Sequence, residues 1–303
     1  MQLPVVLFFP VFAMSRPNSI LSLFANLAVT AALLGLSSGV AQAADSQLEG
    51  QIDRYIKSLR SKGAIRPNER TAWVVYDFTT GKKLVSINET APLQAASMIK
   101  PFVALAFFHQ VKAGKLVYGS TSRRHMEQMI QKSNNGSTNW VMRQVGGPAA
   151  TRALLNRYYP SLSRQVSIVE YIPSGGRTYR NRAAASDYSK LLYAIWSGNT
   201  PHSKEMLRIM NLPGNDRLYT DAKRVPSGTR VYNKTGSTAM CCGDMGILVA
   251  RGKNGRPYPY IVVGIIESGS RNTAYGTWIS RRADVIREVS NLAYLEMKKH
   301  HPL

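Results

Sequence analysis

The stretch Leu93-Gln94-Ala95-Ala96-Ser97-Met98-Ile99-Lys100-Pro101-Phe102-Val103 sets one serine and one lysine inside an apolar run, with Gln94 the only other polar side chain. A hydroxyl and an amine among apolar neighbours are expensive unless paired. Spaced three apart, Ser97 and Lys100 share a face of one helical turn and can hydrogen-bond. Pro101 suits a first turn, where a missing N–H is tolerated. The run therefore predicts a helix from Ser97 to Ala113, ended at Gly114. A serine hydroxyl is a poor nucleophile near neutral pH and needs a base. Lys100 serves only when neutral, which requires burial or a neighbouring cation. The plainer alternative is a lysine snorkelling from the rim of a core helix, with the serine as a cap.

Working outward, Gln47 to Ser61 carries Leu48, Ile52, Tyr55, Ile56 and Leu59 at helical spacing. Thr71 to Tyr76 reads as a strand, Thr79 to Lys82 as a turn and Lys83 to Ile87 as the return strand. From about 123 to 210 the pattern is helical, broken at Gly146-Gly147-Pro148 and by a loop from Tyr159 to Arg182. Short strands are expected over Arg230–Lys234, Met245–Arg251 and Tyr260–Glu267, then a helix from Trp278 to Lys298. Strands at both ends with helices between predict an α+β fold. One antiparallel sheet is built from both termini and an all-α lobe is inserted in the middle.

Two further strings are chemically suggestive. In Ser133-Asn134-Asn135 the first and third side chains point the same way if the turn is extended. Ser133 can then pass a proton and Asn135 can hold an amide, while a helix cap is the plainer reading. Lys234-Thr235-Gly236-Ser237 is expected at the end of a strand. The glycine there lets a substrate backbone lie close, and the other three present donors to a carboxylate. An ordinary strand-to-turn passage is the alternative.

The chain has 303 residues, with 39 Lys and Arg against 17 Asp and Glu, a net charge of +22. So basic a surface favours polyanions. Arg16, the apolar stretch Leu21 to Leu36 and Ala41-Gln42-Ala43 have the layout of a secretory leader cleaved near Ala43, with Met14 a second candidate start. A secreted or periplasmic protein without a stable membrane anchor is expected. Export favours anionic envelope polymers over nucleic acid as partners. The two cysteines, Cys241 and Cys242, are adjacent and read as partly buried thiols near a strand, since a bridge between neighbours is strained. His109, His125 and His202 are scattered, and His300 and His301 lie in a tail expected to fray. No metal or other cofactor is expected.

Taken together, Ser97-x-x-Lys100, Ser133-x-Asn135 and Lys234-Thr235-Gly236 resemble the penicillin-recognising active-site serine hydrolases, and the order of elements resembles class A β-lactamases most. Gly146-Gly147-Pro148 and Ala183-Ala184-Ala185-Ser186-Asp187 extend the likeness over roughly residues 50–298. The resemblance implies Ser97 as the acylated nucleophile, Lys100 as its proton partner and Ser133 as the relay to the leaving nitrogen. It implies Asn135 as an amide contact, Lys234 as an electrostatic anchor, and Thr235 and Ser237 as carboxylate ligands beside Gly236. The N–H groups of Ser97 and Ser237 would form the oxyanion hole. Ser133 follows Ser97 by only 36 positions, closer than in the enzymes resembled. Glu170 falls where their loop glutamate directs water onto the acyl-enzyme, but the following Tyr171-Ile172-Pro173 lacks the Leu-Asn of that loop. The alternative for Glu170 is a structural pairing with Arg177 or Arg180.

The organisation expected is a signal peptide over 1–43 and a single serine hydrolase catalytic domain over 44–303. Its sheet lobe takes about 47–96 and 215–303, its helical lobe about 97–214. The function expected is hydrolysis of β-lactams or D-alanyl peptides by a monomeric enzyme. The alternatives are a D-Ala-D-Ala carboxypeptidase-type wall enzyme or a non-hydrolysing, basic envelope-binding protein on the same fold. Arg217, Arg224 and Arg271 are all candidates for the arginine that binds the substrate carboxylate.

Overall fold

The computed structural model describes residues 47–173, 175, 177 and 179–303; the expected leader lies outside them. The chain opens with helix α1 (Gln47–Ser61), then the hairpin β1 (Glu69–Asp77) and β2 (Lys82–Ile87). A two-residue strand β3 (Leu93–Gln94) leads into a 3₁₀ turn (Ala96–Ile99) and helix α2 (Lys100–Lys112). Helices α3 (Ser120–Ile130), α4 (Asn135–Val145) and α5 (Pro148–Tyr158) follow, then β4 (Arg182–Ala183), α6 (Ala185–Trp196) and α7 (Ser203–Met210). Strands β5 (Arg230–Thr238), β6 (Cys241–Arg251) and β7 (Pro257–Ser268) and helix α8 (Tyr275–His300) complete it.

The fold is α+β. The five long strands form one antiparallel sheet in the order β2-β1-β7-β6-β5, so the N-terminal hairpin joins the C-terminal meander through β1 and β7. The sheet is buried on both faces. Along β6, Cys241, Met245, Ile247 and Val249 enter the core shared with α2, α4 and α6, while Cys242, Leu248 and Ala250 enter the core beneath α1 and α8. The two cysteines are thus free, fully buried thiols on opposite faces of one strand.

Three expectations are corrected. The helix from Ser97 begins as a 3₁₀ turn, with the Met98 and Lys100 N–H groups bonded to the carbonyls three residues back, and becomes α-helical only at Lys100; Ala96, at the head of the turn, holds a left-handed φ of +45°. The Lys234-Thr235-Gly236 string does not end its strand. β5 continues to Thr238, because β6 supplies paired backbone opposite each residue and overrides the turn preference of glycine and serine. The C-terminal tail is docked. His301 is buried, its Nε2 is 2.8 Å from Asp77 Oδ2 and its ring lies against Tyr258.

Glu69 fastens α8 to the sheet. Its carboxylate accepts Trp278 Nε1 (2.6 Å), Arg282 Nε and Nη2 (2.8 and 2.6 Å) and the Arg66 amide (2.7 Å). Burial alone pushes this carboxyl up, but Arg282 and the other donors outweigh it and hold the group below its ordinary range. A depressed carboxyl adds stability above its unfolded-state pKa that is lost as pH falls through the folded one. Glu69→Ala, which strands the buried Arg282, is expected to lower unfolding stability by about 3–5 kcal/mol. Urea denaturation near neutral pH measures this, and the deficit shrinks toward acid; a loss below about 1 kcal/mol contradicts it.

Candidate active site

Ser97 stands on the 3₁₀ turn, half-buried, between the wholly buried Met98 and the equally buried Ala96. The turn is held from three sides. The Ala95 N–H donates to the Asn181 carbonyl (2.9 Å), the Gln94 N–H to Glu267 Oε1 (3.1 Å), and Thr238 Oγ1 to Gln94 Oε1 (2.6 Å). Behind it lies β5. Gly236 and Gly243 face each other in register, and a Cβ on Gly243 would sit 2.5 Å from the Met98 methyl. One on Gly236 would sit 3.0–3.2 Å from Met98, Ala96 and Ala95. Two glycines therefore let the strand carrying Lys234 approach the turn carrying Ser97.

Lys100 is fully buried. Its Nζ donates to the Ser133 carbonyl (2.6 Å) and Asn135 Oδ1 (3.0 Å), which uses both N–H groups of a neutral amine, and lies 3.1 Å from Ser133 Oγ. A direct Ser97–Lys100 bond was expected from their spacing, but the amine turns across to the loop between α3 and α4 instead. That loop is shaped for it. Ser133 has a left-handed φ of +55°, and Asn134, not Ser133, caps α4 by accepting the Ser137 N–H (2.8 Å). The residues on either side of the cap both reach Lys100. Burial first, and the charge of Lys234 second, push the Lys100 amine down to about 6. Near neutral pH it is mostly unprotonated, as a general base must be.

Lys234 is buried mid-strand and donates to the Thr235 carbonyl (3.0 Å). Burial lowers it to about 8; Asp244 opposes that shift and Arg217 adds to it. Asp244 escaped the sequence reading. It lies opposite Thr235, fully buried, and accepts the Arg217 N–H (2.6 Å), Asn233 Nδ2 (3.0 Å) and the Met245 N–H (2.9 Å). Burial raises it to about 6. A carboxylate inside the apolar β6 run was the available signal.

Of the three candidate arginines, Arg217 reaches the site. Its Nη2 donates to Ser237 Oγ (2.6 Å) and its Nη1 to the Gly243 carbonyl (2.8 Å). Arg271 is exposed and lines a cleft of about 810 Å³ with Ser237, Thr238, Arg177 and Tyr179. Arg224 is exposed, and its backbone N–H donates to Asn291 on α8.

Glu170 sits in a loop pinned to both halves of the site. Asn181, whose carbonyl holds Ala95, also clamps the loop through its side chain, accepting the Val169 and Glu170 amides and donating to the Glu170 carbonyl. Asn139 on α4 exchanges two bonds with Ile172 (2.7 and 2.9 Å). The Glu170 carboxylate Oε1 accepts the Tyr179 and Arg180 backbone amides (3.2 and 3.1 Å).

The sequence profile of the beta-lactamase enzyme family matches residues 51–122 and 118–295, and the chain belongs to that family. None of the curated proteins matches it. Among solved structures, PBP-A is similar at 22% identity, over 83% of this chain and 96% of that one, with a TM-score of 0.68. A PBP-A mutant described as an acyl-enzyme complex with penicillin G is similar at 21% identity and TM-score 0.67, with the same coverage. A β-lactamase from Chitinophaga pinensis DSM 2588 shares 16% identity over 82% of this chain and 99% of that one, TM-score 0.66. At these identities the likeness establishes the fold.

Asp244 is the counter-charge beside two buried cations, Lys234 and Arg217. Asp244→Ala is expected to cost about 3–5 kcal/mol of stability in chemical denaturation, as loss of one partner of a buried ionic set does. A variant as stable as the parent contradicts that role.

Proposed function

We propose that this chain is a serine hydrolase that opens β-lactams, or cleaves D-alanyl peptide amides, through an acyl-enzyme on Ser97. The observation that carries the reading is the buried, largely neutral Lys100 amine, three residues from Ser97 and bonded to Ser133 and Asn135. Ser97 Oγ attacks the substrate carbonyl carbon as its proton passes to the Lys100 amine. The C–N bond then breaks, and the leaving nitrogen takes a proton through the Ser133 hydroxyl, which already bridges to Lys100. Asn135 holds the acyl amide, and the Ser97 and Ser237 N–H groups receive the developing oxyanion. Lys234, Thr235 and Ser237 bind the substrate carboxylate, with Arg217 orienting the Ser237 hydroxyl and adding positive charge. Water then releases the acyl group, with Glu170 as its base. The family membership and the shared fold support this chemistry. The proposed setting is outside the cytoplasm, with the leader removed near Ala43.

The grip of two backbone amides on Glu170 Oε1 favours a second reading, a wall peptidase whose β-lactam adduct clears slowly. A chromogenic cephalosporin separates the two. Many turnovers per enzyme fit the β-lactamase; a burst of one equivalent fits the peptidase.

Benzylpenicillin is expected to add its mass to the wild-type protein and not to Ser97→Ala, and Lys100→Met is expected to acylate about 10²–10⁴-fold more slowly. Intact-protein mass spectrometry reads both, and a label surviving the loss of the Ser97 hydroxyl contradicts the reading.

The second-order acylation constant is expected to follow a bell. It rises as pH climbs through about 6, where Lys100 loses its proton, and falls through about 8, where Lys234 loses the charge that attracts the carboxylate. Stopped-flow acylation over this range tests the pair, and a profile flat throughout contradicts it.

A further inference from the structure

Arg271 of the Ser237 cleft faces a second cavity as well. With Asn272 and Thr273 it forms one wall of that cavity, of about 640 Å³, between α1 and the start of α8. The shared wall is fixed. The Asn272 side chain accepts from Arg66, and its amide and side chain donate to the Ala239 carbonyl (2.9 and 3.0 Å), next to Thr238 of the cleft. Arg66, Arg271, Arg281 and Arg282 line this second cavity over an apolar side made by Tyr55 and Trp278. The acidic groups near it are Glu69, taken up by Arg282 beneath, the lining Asp284, bonded to Arg287 (2.9 Å), and Glu288, whose charge reaches Tyr55 and whose carboxylate accepts from Asn291 (2.9 Å). Arg271 and Arg281 are exposed and have no ion-pair partner among the described residues.

Two guanidinium groups without an ion-pair partner, one of them (Arg271) lining both cavities, are suited to an anion beside the substrate cleft. A peptide carries its additional negative charge as carboxylate. We infer that the α1–α8 cavity is a second anion subsite, which selects acidic peptide substrates by placing a carboxylate remote from the scissile bond against Arg271 and Arg281. The inference rests on the acyl-transfer reading of the Ser97 site and adds the chemical class of its substrate. A small β-lactam, with one carboxylate engaged at Lys234, Thr235 and Ser237, offers no second carboxylate for this cavity.

The test is competition. Two peptides ending in D-alanyl-D-alanine, one with two upstream glutamates and one with glutamines in their place, are titrated against benzylpenicillin labelling of the full chain at low salt. The glutamate peptide is expected to block labelling at about ten-fold lower concentration, a preference that fades as added salt screens the charges. Arg281→Glu, an exposed change on α8, is expected to label at the parent rate without competitor and to lose the preference. Equal competition by the two peptides, or a preference retained in Arg281→Glu, overturns the inference. If the wild type takes no penicillin at all, the acyl-transfer reading has failed instead. The subsite is then read by fluorescence anisotropy of the labelled glutamate peptide: weaker binding to Arg281→Glu than to wild type supports it, equal binding overturns it.

Discussion

The site is organised around a buried amine. Lys100 is shut off from the surface three residues after Ser97, and its hydrogen bonds run to Ser133 and Asn135. A charged ammonium in that position is opposed by its burial and by a second buried lysine on β5. The fold answers by keeping the amine mostly neutral near pH 7, which is also the state in which it can accept a proton from a serine. The group that is hardest to bury is therefore the one whose burial is useful.

Much of the remaining architecture keeps these elements against one another. The facing glycines of β5 and β6 bring the Lys234 strand onto the Met98 turn. Asn181 ties the Glu170 loop to Ala95, two residues before Ser97, and Asn139 ties the same loop to α4. Glu267, on β7, receives the Gln94 amide and bonds Arg70 and Arg182, so the central sheet directly supports the strand that leads into the turn. These are positional constraints on backbone, and they set Ser97 from three directions without touching its side chain.

What could be read in the sequence was what local rules govern. The helical spacing of α1 gave its observed bounds, and the apolar surroundings of Ser97 and Lys100 marked a pair that needed explanation. What could not be read was set by distant partners. Lys100 bonds across to residues 33 and 35 positions later instead of to its neighbour three before. Strand β5 runs through a glycine because β6 pairs with it, and His301 is buried because Asp77, far away in the chain, faces it. Asp244 stands out in the sequence only as a costly carboxylate in an apolar strand, and what it serves appears only beside Arg217 and Lys234.

The proposed chemistry depends on the protonation state of one amine. Titration of selectively isotope-labelled lysine side chains by NMR, with the Lys100 resonance assigned by its loss in Lys100→Met, measures that state directly. A midpoint of about 6 is expected. A midpoint near the ordinary lysine value, about 10, would leave Ser97 without a base and contradict it.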